Sequence, residues 1–264
     1  MNRIDKKFRE LRRQRKAALI IYITAGYPSL PKTKELISEI EKSGADIIEL
    51  GIPFSDPLAD GPTIQLASQR ALKNNISLKG VISMVKGIRK KTQLPLVFMT
   101  YYNPVFRFGV ERFIKEASNA GVDGVIIPDL PPDEAALLIK CSKKSDFANI
   151  FLLTPTSAQK RIRIISRASS GFIYYVSLTG VTGARVKLPS EIKNKINAIR
   201  RFTNKPVCVG FGVSNASQAK ALSETADGII VGSAVINIMH NNLGKPDLVK
   251  KVGKFVKGLK NAMR

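Results

Sequence analysis

Hydrophobic and polar positions along this chain follow two alternating rhythms. Short runs of β-branched and other apolar residues at 19–24, 46–51, 95–100, 124–128, 149–153, 171–177, 206–210 and 228–232 read as strands. Between them lie segments such as KTKELISEIEKSG, GVERFIKEASNAG and SQAKALSETA, whose apolar residues recur at spacings of three and four and predict amphipathic helices. Strands that alternate with helices pair in parallel through right-handed crossovers. Eight repeats in 264 residues predict an α/β fold, a closed (β/α)8 TIM barrel; an open doubly wound sheet, which usually has fewer strands, is the competing architecture. No Pro/Ser-rich linker or charge block divides the chain, so residues 1–264 are expected to form a single domain, with an N-terminal helix at about 2–16.

One residue breaks the apolar rhythm. Glu49 stands inside the run DIIELG, and a strand buried on both faces otherwise reads as continuous Val, Ile and Leu. A carboxylate there is paired, protonated or used, unless it sits at the strand end and faces water. The next residues, PFSDPLADGP, form a loop stiffened by three prolines and a glycine, and they carry Asp56 and Asp60. Each of these acids, taken alone, also fits a turn or a helix cap.

In a barrel the active site lies at the carboxyl ends of the strands, where this chain places its unusual residues. Glycine clusters follow the sixth, seventh and eighth predicted strands, in SLTGVTG, GFGVS and VGSA. They let backbone N–H groups approach an anion, and a short helix starting at Ser233 would point its positive end at it. A phosphate site is therefore predicted at Gly183, Gly212, Gly232 and Ser233. Tyr22, Phe98, Tyr101, Ile126, Tyr174 and Phe211 would line an apolar-bodied pocket, with core packing as the alternative role for each.

Composition narrows the chemistry. Lys and Arg number 43 against 20 Asp and Glu, a formal net charge of +23, which raises nucleic acid as a partner. The basic residues are spread over helical segments without aromatic interleaving, which predicts solvated outer faces that steer anionic substrates, with no nucleic-acid partner. No run of 18 apolar residues is present, so no membrane span is expected. Cys141 and Cys208 have no metal-ligand spacing and read as reduced core residues of a soluble, intracellular protein. The basic helix at the N-terminus resembles an organellar presequence but runs directly into the first strand. None of the predicted strands contains a lysine, which disfavours Schiff-base chemistry, and the single histidine, His240, leaves no His-based relay or metal site. Acid–base work by carboxylates on a phosphorylated substrate remains.

At this point the motifs ITAGYPS (23–29), ELGIPFSDPLADGPTIQ (49–65), YYNPVF (101–106), GVDGVIIPDLPPDE (121–134), SLTGVTGAR (177–185), GFGVS (210–214) and VGSA (231–234) resemble the tryptophan synthase α subunit family from end to end. The resemblance implies a barrel that cleaves indole-3-glycerol phosphate to indole and glyceraldehyde 3-phosphate. It implies no cofactor in this chain, and a pyridoxal-phosphate-dependent β subunit as partner in an αββα complex that receives indole through a tunnel. It makes Glu49 the acid–base residue and Asp60 the second carboxylate. Thr182 matches the residue with which a mobile loop closes over Asp60, and Tyr174 a pocket tyrosine. Pro53, Asp56, Asn103, Phe106, Pro131 and Glu134 fall in loops that face the β subunit, although Phe106 could instead tuck into its own barrel. The surplus of Lys and Arg departs from the family's usual composition. A barrel that activates the β subunit without turnover is the alternative function, and a bacterial cytoplasm or a plastid stroma the compartment.

Overall fold

The computed structural model describes residues 1–176, 189–210 and 212–263. In chain order the elements are α1 (Arg3–Arg13), β1 (Ala18–Thr24), α2 (Leu30–Lys42), β2 (Ile47–Gly51), α3 (Pro62–Lys73), α4 (Leu78–Ile88), β3 (Leu96–Met99), α5 (Tyr102–Phe108), α6 (Val110–Ala120), β4 (Gly124–Ile126), α7 (Ala136–Lys144), β5 (Ala148–Ile150), β6 (Leu152–Leu153), α8 (Gln159–Ala168), β7 (Ile173–Val176), α9 (Pro189–Arg200), β8 (Val207–Gly210), α10 (Ala216–Ser223), β9 (Gly228–Val231), α11 (Ser233–His240) and α12 (Leu248–Ala262). All strand pairs are parallel, in the order β5-β4-β3-β2-β1-β9-β8-β7-β6. The two ends of that order, β5 and β6, are separated only by Phe151, so the run expected at 149–153 is one interrupted strand and the sheet curls round to meet itself. That is the (β/α)8 barrel, not the open sheet.

Side chains alternate along each strand between two cores. Inside the barrel, Ala18, Ile20, Ile47, Val97, Ile126, Ile150, Cys208 and Ile230 pack together. Their outward neighbours, among them Leu19, Ile21, Ile48, Leu50, Leu96 and Phe98, pack against the helices. Helix α1 plugs the amino-terminal mouth: Ile4, Phe8 and Leu11 join the interior cluster, and the Phe8 ring lies 5.8 Å from that of Phe172. Asn2 caps α1 by accepting from Ile4 N at 2.8 Å and donates to the Asp123 and Asp146 carbonyls. The basic N-terminal segment is thus part of the fold.

The same mouth is tied by a repeated device. Asp46, Asp123 and Asp227, each just ahead of a strand, accept a backbone N–H from the start of the preceding strand, at Leu19, Leu96 and Val207 (2.7, 2.8 and 2.9 Å). Lys260, Arg89 with Arg3, and Arg200 respectively neutralise them. The sequence YYNPVF, expected to be a loop, is helix α5. Its first N–H groups include Tyr102 N, which donates to both carboxylate oxygens of Asp129, and Pro104 sits in the first turn, where its missing N–H costs nothing. Among the described residues no helix is long and apolar enough to cross a membrane.

Candidate active site

Parallel register decides what surrounds Glu49. On β2 it lies beside Tyr22 of β1 and Val97 of β3, all facing the interior, and it is 1% exposed. Its Oε2 is buried with no hydrogen-bond partner among the described residues. Burial, reinforced by the negative charge of Asp60, pushes the Glu49 carboxyl up to about 8. The alternative of a strand-end acid in water is therefore excluded. Its cross-strand neighbours are Tyr22 and Val97, while Leu50, the next residue along β2, points to the helix-facing side. The buried hydroxyls of Tyr22 and Tyr174 and the Cys208 thiol are all held well above their ordinary ranges, by burial first and then by nearby acids that include Glu49 in each case. Glu49, Tyr22, Tyr174 and Cys208 thus share one interior. Two glycines make room for the rings: a Cβ on Gly51 would stand 2.2 Å from the Tyr22 hydroxyl oxygen, and one on Gly210 would stand 2.3 Å from the Tyr174 ring.

Asp60 enters the same space from the loop after β2. The Tyr101 hydroxyl donates to Asp60 Oδ2 at 3.1 Å and accepts from Ala59 N at 2.9 Å, while the Tyr101 ring stacks on Phe54 at 5.3 Å. Helix α3 holds the loop from behind. Ser68 Oγ accepts from Phe54 N and donates to Phe54 O, and Gln65 Nε2 donates to the Asp60 carbonyl at 2.9 Å. Burial raises the Asp60 carboxyl to about 6 against the opposing pull of the Tyr101 hydrogen bond. Near neutrality the two acids therefore hold different states, Glu49 protonated and Asp60 ionised.

Of the other expected site residues, Tyr22, Ile126 and Tyr174 face the barrel interior. Phe98 does not. It pairs with Leu50 in register and is wholly buried in the helix-facing core, and Met99, one residue on, packs against the interior in its place. Strand parity carried that signal, because Tyr101 and Phe98 lie an odd number of residues apart. Gly232 caps α11 without a side-chain bond, leaving the first N–H groups of that helix, starting at the exposed Ser233, free of intrahelical partners. Gly212 is exposed with φ +27°. Thr182, Gly183 and Phe211 lie outside the described residues. Among the described residues, surface grooves of about 180 and 430 Å³ lie elsewhere, one against α1 and one among α10, α11 and α12.

A barrel with two converging acids at its carboxyl-terminal end has close relatives among known proteins. The model of the family described as tryptophan synthase alpha chain matches residues 8–264. The chain belongs to that family. It is 50% identical over 260 residues to the tryptophan synthase alpha chain of Geotalea daltonii, covering 98% of each chain. Its fold superposes on tryptophan synthase subunit alpha of Legionella pneumophila str. Paris with a TM-score of 0.94 at 38% identity, over 100% of this chain and 98% of that one. A ligand-free tryptophan synthase of M. tuberculosis matches with a TM-score of 0.90 at 32% identity, over 100% and 99%. As a tryptophan synthase alpha chain it cleaves indole-3-glycerol phosphate, in tryptophan biosynthesis, with a beta subunit as partner.

For an alpha chain, the residues expected to face a beta subunit divide by exposure. Asp56, Asn103 and Glu134 are exposed, Pro131 is half-buried, and Phe106 is 66% exposed on α5, leaning on Tyr102. Phe106 therefore does not tuck into its own barrel. Pro53 is buried in this chain, because it leads directly out of β2 beneath the loop. Leu58, 90% exposed between Asp56 and Asp60, and Leu137 on α7 add apolar surface that sequence reasoning misses, since a lone leucine in a loop carries no periodicity.

Proposed function

We propose that this site performs a carbon–carbon lyase reaction, the retro-aldol cleavage of indole-3-glycerol phosphate to indole and glyceraldehyde 3-phosphate, with Glu49 as acid and base and Asp60 as the fixed carboxylate. The observation that carries this reading is one interior shared by Glu49, 1% exposed with no partner for its Oε2 among the described residues, and Asp60, held by the Tyr101 hydroxyl, where burial raises both carboxyls and Glu49 further. Protonated Glu49 gives its proton to indole C3, and the positive charge that appears at the ring N–H is stabilised by the Asp60 carboxylate. Glu49, now ionised, takes the proton of the hydroxyl on the carbon bonded to C3. The bond between that carbon and C3 breaks, its electron pair returns to the ring, and the carbon becomes the aldehyde. Glu49 ends protonated, as it began. Such proton transfer contributes typically ~10² to 10⁴-fold, and orientation supplies the rest.

In the same reading, Tyr22, Met99, Ile126 and Tyr174 hold the indole. The N-terminus of α11 at Gly232 and Ser233, with the backbone at Gly212 and Gly183, holds the phosphate, where free N–H groups and the helix dipole favour an anion. Phe211 and Thr182, outside the described residues, take their roles in this reading from the family motifs alone, as a pocket residue and as the partner of Asp60 in excluding water. The outer face of Asp56, Asn103, Phe106, Pro131 and Glu134, continued by Leu58 and with Pro53 as its underlying support, docks the beta subunit in an αββα complex that takes the indole. Pyridoxal phosphate serves that partner's half of the reaction, and this chain needs no cofactor of its own. The bacterial sources of the relatives support a cytoplasmic setting over a plastid one. The test is to incubate purified protein with indole-3-glycerol phosphate, with and without beta subunit. Indole and glyceraldehyde 3-phosphate should appear in equal amounts, and Glu49→Gln should release none while still binding the beta subunit. A protein that activates its partner yet yields no indole would instead be a barrel without turnover.

A further inference from the structure

One polar cluster behind the site takes no part in the chemistry above. His240, the only histidine of the chain, ends α11, and its Nδ1 lies 3.1 Å from the Tyr27 hydroxyl and 3.2 Å from Arg70 Nη1. A guanidinium can only donate, so in this contact Nδ1 is the acceptor. Tyr27, 1% exposed, belongs to the turn after β1, and Arg70 to the last turn of α3. Among the described residues no other side-chain hydrogen bond joins α3 to α11.

Both helices lead straight to the site. At its other end α3 grips the loop of Asp60 through Gln65 and Ser68, and beyond its last turn Asn74 donates to the carbonyls of Gly26 and Pro28 (3.2 and 2.7 Å). Helix α11 starts at Ser233, the end assigned to the phosphate. A hydrogen-bonded helix moves as a rigid body, so a shift at one end of either helix appears at the other. We propose that His240 is a positioning residue, clasping α11 to α3 so that seating the phosphate at one helix sets Asp60 through the other. This rests on the roles proposed above for Ser233 and Asp60.

The test compares the wild type with His240→Ala, with His240→Gln, whose amide oxygen can accept from Arg70, and with Arg70→Gln, which opens the clasp from the other helix. Steady-state cleavage of indole-3-glycerol phosphate gives kcat and KM, and calorimetry with glycerol 3-phosphate reports the phosphate end alone. His240→Ala and Arg70→Gln should each lower kcat by about tenfold, the scale of a coupling of roughly 1.4 kcal/mol, with KM and glycerol 3-phosphate affinity changed less than about threefold. The double variant should lose no more than either single one, and His240→Gln should recover most of kcat. A wild-type kcat in His240→Ala with a lowered melting temperature would overturn the clasp, as would equal losses in the Ala and Gln variants. Glu49→Gln run alongside separates the two failures: if it cleaves normally, the reading of the site is wrong, whereas an inert Glu49→Gln beside a fully active His240→Ala removes only the clasp.

Discussion

Glu49 and Asp60 differ in environment more than in chemistry. Glu49 is enclosed on a strand between Tyr22 and Val97, whereas Asp60 reaches in from a loop and keeps a hydroxyl donor, Tyr101. That difference separates their protonation states, and it has a cost in stability. The folded state holds a proton on Glu49 that the unfolded chain releases, so stability is lost as pH climbs from about 4.5 toward about 8. Glu49→Gln cannot ionise. In urea unfolding it should exceed the wild type by up to roughly 3 kcal/mol at pH 7, with the gap closing near pH 4.5. A gap that does not change with pH would mean that Glu49 ionises in the folded protein as easily as in water. Glu49 is legible in the sequence because an acid in the middle of the apolar run DIIELG has no place in an ordinary buried strand. The direction in which Asp60 points is not legible, because a loop residue is aimed by contacts such as that with Tyr101, 41 positions away.

At the scale of elements, the eight strand runs are legible because they are mostly buried on both faces and, exceptions such as Glu49 apart, read as apolar runs bounded by turns and helices. Side-chain direction and short helices are harder to read. Composition alone groups Phe98 with the pocket, although alternation along β3 sends it to the helices and Met99 inward. Helix α5 is hidden because Asn and Pro, which usually mark loops, occupy its first turn, and the Asp129 cap that stabilises it comes from the far side of β4. The strand at 149–153 breaks at Phe151, which no local pattern announces. Helix α1 is an element whose role only packing reveals, as the plug of the amino-terminal mouth. Phe8→Ala removes its ring from Phe172 and should cost about 3–5 kcal/mol in thermal or denaturant unfolding, with cleavage intact in the fraction that stays folded. A loss under about 1 kcal/mol would mean that α1 rests on the barrel without closing it.

The whole molecule has two ends with separate duties. The amino-terminal mouth is sealed by α1 and by the ion pairs of Asp46, Asp123 and Asp227, while the carboxyl-terminal end carries both acids and the exposed apolar residues Leu58, Phe106 and Leu137. Most of the excess Lys and Arg lies on solvated helix faces such as those of α1 and α12, where it attracts anionic substrate without shaping the site. Phe106→Ala should weaken beta-subunit binding by about tenfold in a titration while leaving unassisted cleavage unchanged, as for an aromatic anchor at an interface, and equal affinity would move the interface elsewhere. Two acids acting from opposite protonation states leave their mark on the pH dependence of kcat/KM for indole-3-glycerol phosphate. Activity should rise through about pH 6 as Asp60 ionises and fall through about pH 8 as Glu49 loses its proton, and in Asp60→Asn the residual activity should fall at lower pH because the neighbouring charge no longer holds Glu49 up. A profile flat across that whole range, or an alkaline limb unmoved in Asp60→Asn, would contradict those opposite states.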